Sequence, residues 1–343
     1  MNSRLHKEIS KVEISAICAN LLGNNAEIIE YRLLGGGMFN TTYFVHAKCT
    51  GGERKFVVRI APINRQYLYS YEREMMRAEG ILQRMIGDAG IPTTNIIQYV
   101  PAGKIIDREY SITEFLPSIP MNDPSLKDVD LSYIFEDVGR YTKIMHSITA
   151  DGFGWAIPDG DGKITAPHKT WYDFLIAHAN ENIERMTELD YFTRDEASRQ
   201  IEIIQSRKAM FDKVTVPYMN HTDLWEGNVL LRKALSQKDE GTDKYEIAAI
   251  IDTDRTIFGD REFEFAMGWM CNDHYYKGYN EICGACSPES DDEKAETETK
   301  RMIYSMLYQF FQTYIFSTQF DYPDTSKYYA ERIREKYSRL LDK

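Results

Sequence analysis

The sequence predicts an α+β protein in two lobes: an N-terminal lobe of antiparallel sheet with helices, and a larger, mainly helical C-terminal lobe. Three observations predict it. Strand-like runs broken by glycine turns dominate the first third of the chain, and apolar residues recur at helical spacing from Leu131 onward. Between them lies a linker, Ser118–Lys127, which contains Pro120 and Pro124. The expected division is therefore 1–117 and 118–343, with the hinge at about 114–127.

Taken in order, Ser3–Leu22 reads as a helix with Ile9, Val12, Ala16, Ile17 and Leu21 at helical spacing, closed by Gly23. Ile28–Leu34 and Thr41–Ala47 read as strands around Gly35-Gly36-Gly37. Glycines there let backbone amides approach a phosphate unobstructed, although an ordinary surface hairpin has the same pattern. Lys55–Pro62 reads as a buried strand carrying Arg59, either a phosphate clamp or a residue on a solvated strand face. Ser70–Ile86 reads as a helix that offers Glu72, Glu74 and Glu79 to that arginine. Glu79 is best placed, at the head of Ile81, Leu82, Met85 and Ile86, with Glu74 in reserve.

Two further strands are expected over Asn95–Val100 and Lys104–Phe115, the second folded back at Asp107-Arg108. Helices are expected over Leu131–Met145, Trp171–Leu189 and Arg194–Phe211, with His146 a core histidine. Ser287-Pro288-Glu289 reads as a helix start, and the acidic run Asp291–Glu298 as its solvated first turn or a loop. Met302–Phe316 reads as an aromatic core helix and Tyr328–Leu341 as an amphipathic one.

One stretch carries chemistry. In His221-Thr222-Asp223-Leu224-Trp225-Glu226-Gly227-Asn228, an aspartate stands five residues before an asparagine, and the apolar run Ile250-Ile251 then ends in Asp252. Phosphoryl transfer needs one carboxylate to orient a hydroxyl and take its proton, and an amide oxygen with a second carboxylate to hold Mg2+ against phosphates. The spacing matches that layout. An adenine base would meet hinge backbone around Glu114 and Leu116.

With these residues in place, the chain resembles the aminoglycoside phosphotransferase family, small-molecule kinases of protein-kinase-like fold that include choline-kinase-like and fructosamine-kinase-like members. The resemblance rests on Gly35–Gly37 with Asn40-Thr41, Phe56–Pro62, Glu79 ahead of Ile91-Pro92, Ile112–Phe115 and Met145-His146. His221–Leu230, Ile251-Asp252 and Gly259–Glu264 complete it, all in family order. It implies that Asp223 is the catalytic base, that Asn228 and Asp252 are Mg2+ ligands, and that Arg59 and Glu79 form a phosphate-clamping ion pair. ATP or GTP is then the donor, held also by Gly36, Gly37, Asn40 and Thr41. Three departures stand out. Arg59 replaces the usual lysine, and Glu264 stands where the family has an aspartate that braces the catalytic loop. Thr253-Asp254 follows Asp252 with no phenylalanine-glycine pair. No Ala-Pro-Glu segment follows either, which speaks against a protein substrate.

Asp254, Glu264, Asp273 and Tyr276 are the candidates for holding an acceptor. Cys271, His274, Cys283 and Cys286 have zinc-like spacing, although Cys271 lies on an apolar segment. The net charge of −12 disfavours nucleic acid and suits a cationic acceptor. No apolar run reaches membrane-spanning length, no signal-peptide core opens the chain, and five cysteines do not suggest a disulfide framework. A cytoplasmic enzyme, monomeric or homodimeric, is expected. It would phosphorylate a hydroxyl on a small, amine-bearing molecule, with an aminoglycoside-type antibiotic first. A sugar amine, choline-like alcohol or secondary metabolite is the alternative, and a silent nucleotide-binding module the reading from another class.

Overall fold

The computed structural model describes residues 3–35, 37–234, 244–281 and 290–341. Five antiparallel strands form the N-terminal sheet: β1 (Glu27–Leu33), β2 (Thr41–Cys49), β3 (Gly52–Ile60), β4 (Ile96–Val100) and β5 (Tyr110–Glu114), in the order β1-β2-β3-β5-β4. β2 and β3 pair from Thr41↔Ile60 to Cys49↔Gly52, and Gly52 takes a positive φ of 102° at the turn. Alternation then puts Tyr43, Val45, Ala47, Phe56, Val58 and Ile60 on one face, where helix α1 (Lys11–Leu22) covers them with Ile14, Ile17 and Cys18.

α1 starts eight residues later than the periodicity suggests. Ser10 and Glu13 form a reciprocal capping box that sets its first turn. Residues 3–9 instead run along the outside of both lobes. The Leu5 side chain is buried in the helical lobe's core, and Ile9 N–H donates to Tyr43 Oη at 3.1 Å. The strand expected over 104–115 is likewise shorter. Residues 101–109 form turns, where Arg108 is held by the carbonyls of Ala61 and Lys7.

The expected helix from Ser70 begins only at Met75, as α2 (Met75–Asp88). The stretch before it crosses to the helical lobe. Tyr69 Oη donates to Asn182 Oδ1 at 3.1 Å, Ser70 is held by Glu181, and Arg185 donates to Leu68 O at 2.6 Å. α2 itself buries Ala78, Leu82 and Ile86 in one core with Ile134, Val138 and Ile250, so the two lobes share packing.

Short strands frame the catalytic region: β6 (Ile119–Pro120), β7 (Gly154–Trp155), β8 (Ile157–Pro158), β9 (Ile164–Thr165), β10 (Tyr218–Asn220), β11 (Val229–Lys233), β12 (Tyr245–Ile250) and β13 (Ile257–Gly259). They pair as β12-β11-β6, β10-β13-β7 and β8-β9. The helices of this lobe are α3 (Ser132–Met145), α4 (Trp171–Met186), α5 (Arg194–Gln205), α6 (Lys208–Phe211), α7 (Glu262–Phe265), α8 (Asp273–Glu281), α9 (Asp291–Thr318) and α10 (Pro323–Leu341). The helix expected over 194–211 divides at Ser206-Arg207, and α10 starts at Pro323, five residues ahead of Tyr328. Asp291–Glu298 forms the opening turns of α9 behind a Ser290–Glu293 capping box. α3 and α8 cross closely. A Cβ at Gly139 would lie 2.1 Å from Tyr275 O, and one at Gly278 would lie 1.9 Å from Glu136 O. Among the described residues, no helix is long and apolar enough to cross a membrane.

Candidate active site

β10 delivers His221, and the chain then turns sharply. Thr222 sits at φ 62°, and Asp252, at the end of β12, sits at φ 60°. Two non-glycine residues in the left-handed region flank the site, a strain the fold retains at these positions. The loop is held by a short set of bonds. Glu264 Oε2 accepts from the backbone N–H groups of His221 (2.5 Å) and Thr222 (3.2 Å). His221 Nε2–H donates to Ile251 O at 2.9 Å, and its Nδ1 accepts from Asp223 N–H at 3.3 Å, which defines a neutral tautomer. Burial lowers the pKa of that imidazole. A single 3₁₀ turn, Glu226–Asn228, brings Asn228 back to Asp223, where its Nδ2 donates to Asp223 O (2.8 Å) and Oδ2 (3.4 Å).

Burial pushes the Asp223 carboxyl up to about 7, with Arg255 opposing the rise and Asp252 and Asp254 adding to it. A carboxylate so tuned is a competent proton acceptor near neutral pH. Above it lies Arg59, which is ion-paired to Glu79, to Asp252 at 2.8 Å and to Asp254 at 3.5 Å. Burial raises the Glu79 pKa and the guanidinium opposes it. Gln83 Nε2 donates to the same Glu79 oxygen at 3.2 Å.

The structure brings Asp223, Asn228, Asp252, Arg59 and Glu79 together. Asn40 and Thr41 are buried at the start of β2, with Asn40 Oδ1 and Thr41 Oγ1 unpartnered among the described residues. Gly36 lies outside those residues. A Cβ at Gly37 would meet only Asn40 O, at 3.7 Å, so hairpin packing does not itself require a glycine there. At the hinge, the Glu114 side chain is taken by Asn95 and Leu116 O by the Ser118 hydroxyl.

The four residues expected to hold an acceptor have surroundings of their own in the structure. Asp254 turns to Arg59, and Glu264 is used up by the two loop amides, because buried carboxylates go to the nearest unsatisfied donors. Asp273 is the exposed first residue of α8, and the Tyr276 ring packs on Phe265, with its hydroxyl against Cys271. Thr222, Leu224, Glu264, Met270 and Tyr275 line a small cavity under the loop, whereas Asp273 and Tyr276 do not. Of the zinc-like set, Cys283 and Cys286 lie outside the described residues, and His274 turns to Glu136 at 3.4 Å. No cluster of three His, Cys, Asp or Glu among the described residues is arranged to hold a metal. The reserve glutamate, Glu74, neighbours Arg77 rather than Arg59. Glu72 pairs with Arg255, three residues after Asp252, which sequence reasoning missed.

A hard divalent cation fits the donors present. Mg2+ is held by one or two protein oxygens and completed by phosphate and water, and Asp252 with Asn228 Oδ1 supplies that number. The Asn228 amide nitrogen is spent on Asp223, so the amide oxygen faces the other way.

The profile of the fructosamine kinase family matches residues 10–333. No curated protein matches the chain by sequence. Among solved structures, a candidate fructosamine-3-kinase of Thermobifida fusca YX-ER1 is 17% identical over 97% of this chain and 100% of its own, with a TM-score of 0.64. A thermostable mutant of the aminoglycoside phosphotransferase APH(4)-Ia, in ternary complex with AMP-PNP and hygromycin B, is 14% identical over 95% and 98%, with a TM-score of 0.64. Choline kinase of Cryptosporidium parvum Iowa II is 14% identical over 96% of each chain, with a TM-score of 0.56. These likenesses establish the bilobal kinase-like fold, and the profile match spans nearly the whole chain. The chain belongs to the fructosamine kinase family, and so to the small-molecule phosphotransferases that act on a hydroxyl group.

Proposed function

We propose that this chain transfers the terminal phosphoryl group of ATP (or GTP), with Mg2+, to a hydroxyl of a sugar amine. The convergence of Arg59, Asp252, Asn228 and Asp223 carries this reading. Arg59 pairs with Asp252, Asn228 bonds Asp223, and Asp223, within electrostatic reach of Asp252, has its pKa pushed up to about 7, which supports a cation, two hard oxygen donors and a base acting together. The acceptor hydroxyl gives its proton to Asp223 while its oxygen bonds to the terminal phosphorus. The bond from that phosphorus to the bridging oxygen breaks, leaving the nucleoside diphosphate. Mg2+, when bound, neutralises phosphate charge. Arg59 stabilises the same charge from the sheet side, and Glu264 holds the loop so that Asp223 is already aimed. In this reading Asn40, Thr41 and Gly37 hold the phosphates, and the backbone at Glu114 and Leu116 takes the base; Gly36 lies outside the described residues.

The family match favours a sugar amine over the aminoglycoside that the resemblance first suggests. The aminoglycoside stands as the second reading, supported by the likeness to APH(4)-Ia, the protein solved with AMP-PNP and hygromycin B. Formation of nucleoside diphosphate is to be followed with fructosamines, choline and hygromycin B as acceptors, with ATP or GTP, and with Mg2+ present or chelated. Fructosamine-dependent, Mg2+-dependent turnover is expected. Turnover with hygromycin B alone would overturn the acceptor assignment.

A further inference from the structure

The segment ahead of α1 ties the loop that leads into β2 to the helical lobe. The Ser3 hydroxyl accepts from Leu5 N–H at 3.2 Å and donates to Met38 O, in that loop, at 3.0 Å. The His6 ring lies against the Asn40 backbone two residues on. Arg4 N–H donates to Gln319 O at 2.8 Å, and its guanidinium pairs with Asp321 at 2.6 Å, just past α9. Asn64 Nδ2 donates to Arg4 O at 2.6 Å, and Ile63 N–H donates to Leu5 O at 2.9 Å. Leu5 itself is fully buried in the helical lobe's core. Of the four described non-glycine residues at positive φ, Thr222 and Asp252 flank the base, and the other two, Asn64 and Asp321, both hold Arg4. Left-handed backbone at a non-glycine residue carries a cost, so finding it at both partners of one residue points to a task for that contact.

The loop that Ser3 holds is itself seated. Met38 and Phe39 pack against the same core as Leu5. In this state the groups expected to meet phosphates are largely covered: Asn40 is 7% exposed, Thr41 2%, Asn228 4% and the Arg59 side chain 13%. A triphosphate needs its oxygens in direct contact with such donors. Access therefore requires the stretch Met38–Asn40 to lift, once for the nucleotide to enter and again for the diphosphate to leave.

We infer that Ser3–His6 form a latch that holds Met38–Asn40 down on the helical lobe and so sets the rate of nucleotide exchange. The inference rests on the reading above that this loop holds the phosphates. The latch is made to open without unfolding. Ser3 gives the loop one hydrogen bond, and the Arg4–Asp321 pair is about half exposed on both sides, where an ion pair is weak. Leu5 stays anchored and returns the segment to its place. Ser3, Arg4 and His6 are positioning residues, because they act on the loop through its backbone. A latch that closes on the empty and the filled site alike slows entry and exit together and leaves affinity nearly unchanged. Turnover then follows its opening wherever product release is the slow step.

The test uses the full chain as wild type, S3A, the double variant S3A/R4Q, and S3T, which keeps the hydroxyl. Association and dissociation of a fluorescent ADP analogue with Mg2+ are followed by stopped flow, and loop opening is read as the rate of chymotryptic cleavage after Phe39. Both rate constants should rise, by about fivefold in S3A and about tenfold or more in the double variant. Kd should stay within about twofold of wild type, and cleavage should quicken by a factor similar to that of the rate constants. S3T should behave as wild type, and Tm should hold in every variant, since Arg4 is exposed and Leu5 stays buried. Faster dissociation with unchanged association would overturn the latch and make these residues supports of the phosphate site alone. Unchanged cleavage at Phe39 in both S3A and the double variant would also overturn it. A wild type that binds neither ATP nor ADP, with Phe39 protected and then freed in the variants, would overturn the nucleotide reading and the exchange role while leaving the latch itself standing.

Discussion

Two arginines, the half-buried Arg59 and the buried Arg255, belong to the region of the base, and the protein treats them differently. Arg59, on β3, faces three carboxylates: Glu79, Asp252 and Asp254. Among the described residues Arg255 pairs with one, Glu72, lies against two aromatic rings and has an Nη1 without a partner. The first guanidinium is satisfied within the protein by these ion pairs. The second keeps one guanidinium nitrogen without a partner among the described residues. One guanidinium is balanced by carboxylates and the other largely by aromatic faces.

The largest effect expected is on the base itself. D223N should lower kcat by about 10²–10⁴-fold while nucleotide binding, read by titration, holds. An equal loss of nucleotide affinity would mean that the two sides are not separable. Next, E79A should destabilise the fold by about 3 kcal/mol in urea unfolding and raise KM for the nucleotide, because it removes the fully buried partner of a buried guanidinium. A neutral result would show that Asp252 and Asp254 suffice to hold Arg59.

The pH profile is the third comparison. With Asp223 raised to about 7, kcat/KM for the acceptor should fall as pH drops through that value, because the protonated acid cannot take the hydroxyl proton. Stability should respond in the opposite sense. A carboxyl raised above its unfolded value contributes stability at low pH that is lost as pH rises through about 7. D223N should flatten the stability slope in that range. The smallest effect expected is for R59K. It should retain turnover, lower Tm by a few degrees and change nucleotide KM within about tenfold, since an ammonium cannot bridge Asp252 and Asp254 as a planar fork does.

Local chemistry was legible in the sequence. Asp223 and Asn228 are five residues apart and meet across one short turn, so their spacing carries their geometry. The placing of Arg59 in a buried strand already demanded a carboxylate, and Glu79 was the one at the head of an apolar helical face. What escaped depends on distant contacts. Residues 70–74 read as the first turn of a helix, but Glu72 bonds Arg255, 183 positions later, and Gln319, 247 positions later. Periodicity says nothing about pairings at that range. The partners of Asp254 and Glu264 were not legible for another reason. A buried carboxylate suits an acceptor, a guanidinium or a pair of loop amides equally well, and only the neighbours decide between them.

The outer segment at residues 3–9 has a consequence for how the molecule is made. Arg4 N–H donates to Gln319 O at 2.8 Å, Arg4 pairs with Asp321, and Gln319 also bonds Glu72 and Tyr67 O. Arg4 thus finds these partners only after the end of α9 has been synthesised. Contacts of such sequence separation close late and slow the search for the native state. The sheet can pair early, but the Glu72–Arg255 link is braced only when Gln319 arrives. A nascent chain stopped short of α9 would carry the motif residues without the frame that aims them, and Leu5 would stay in water until then.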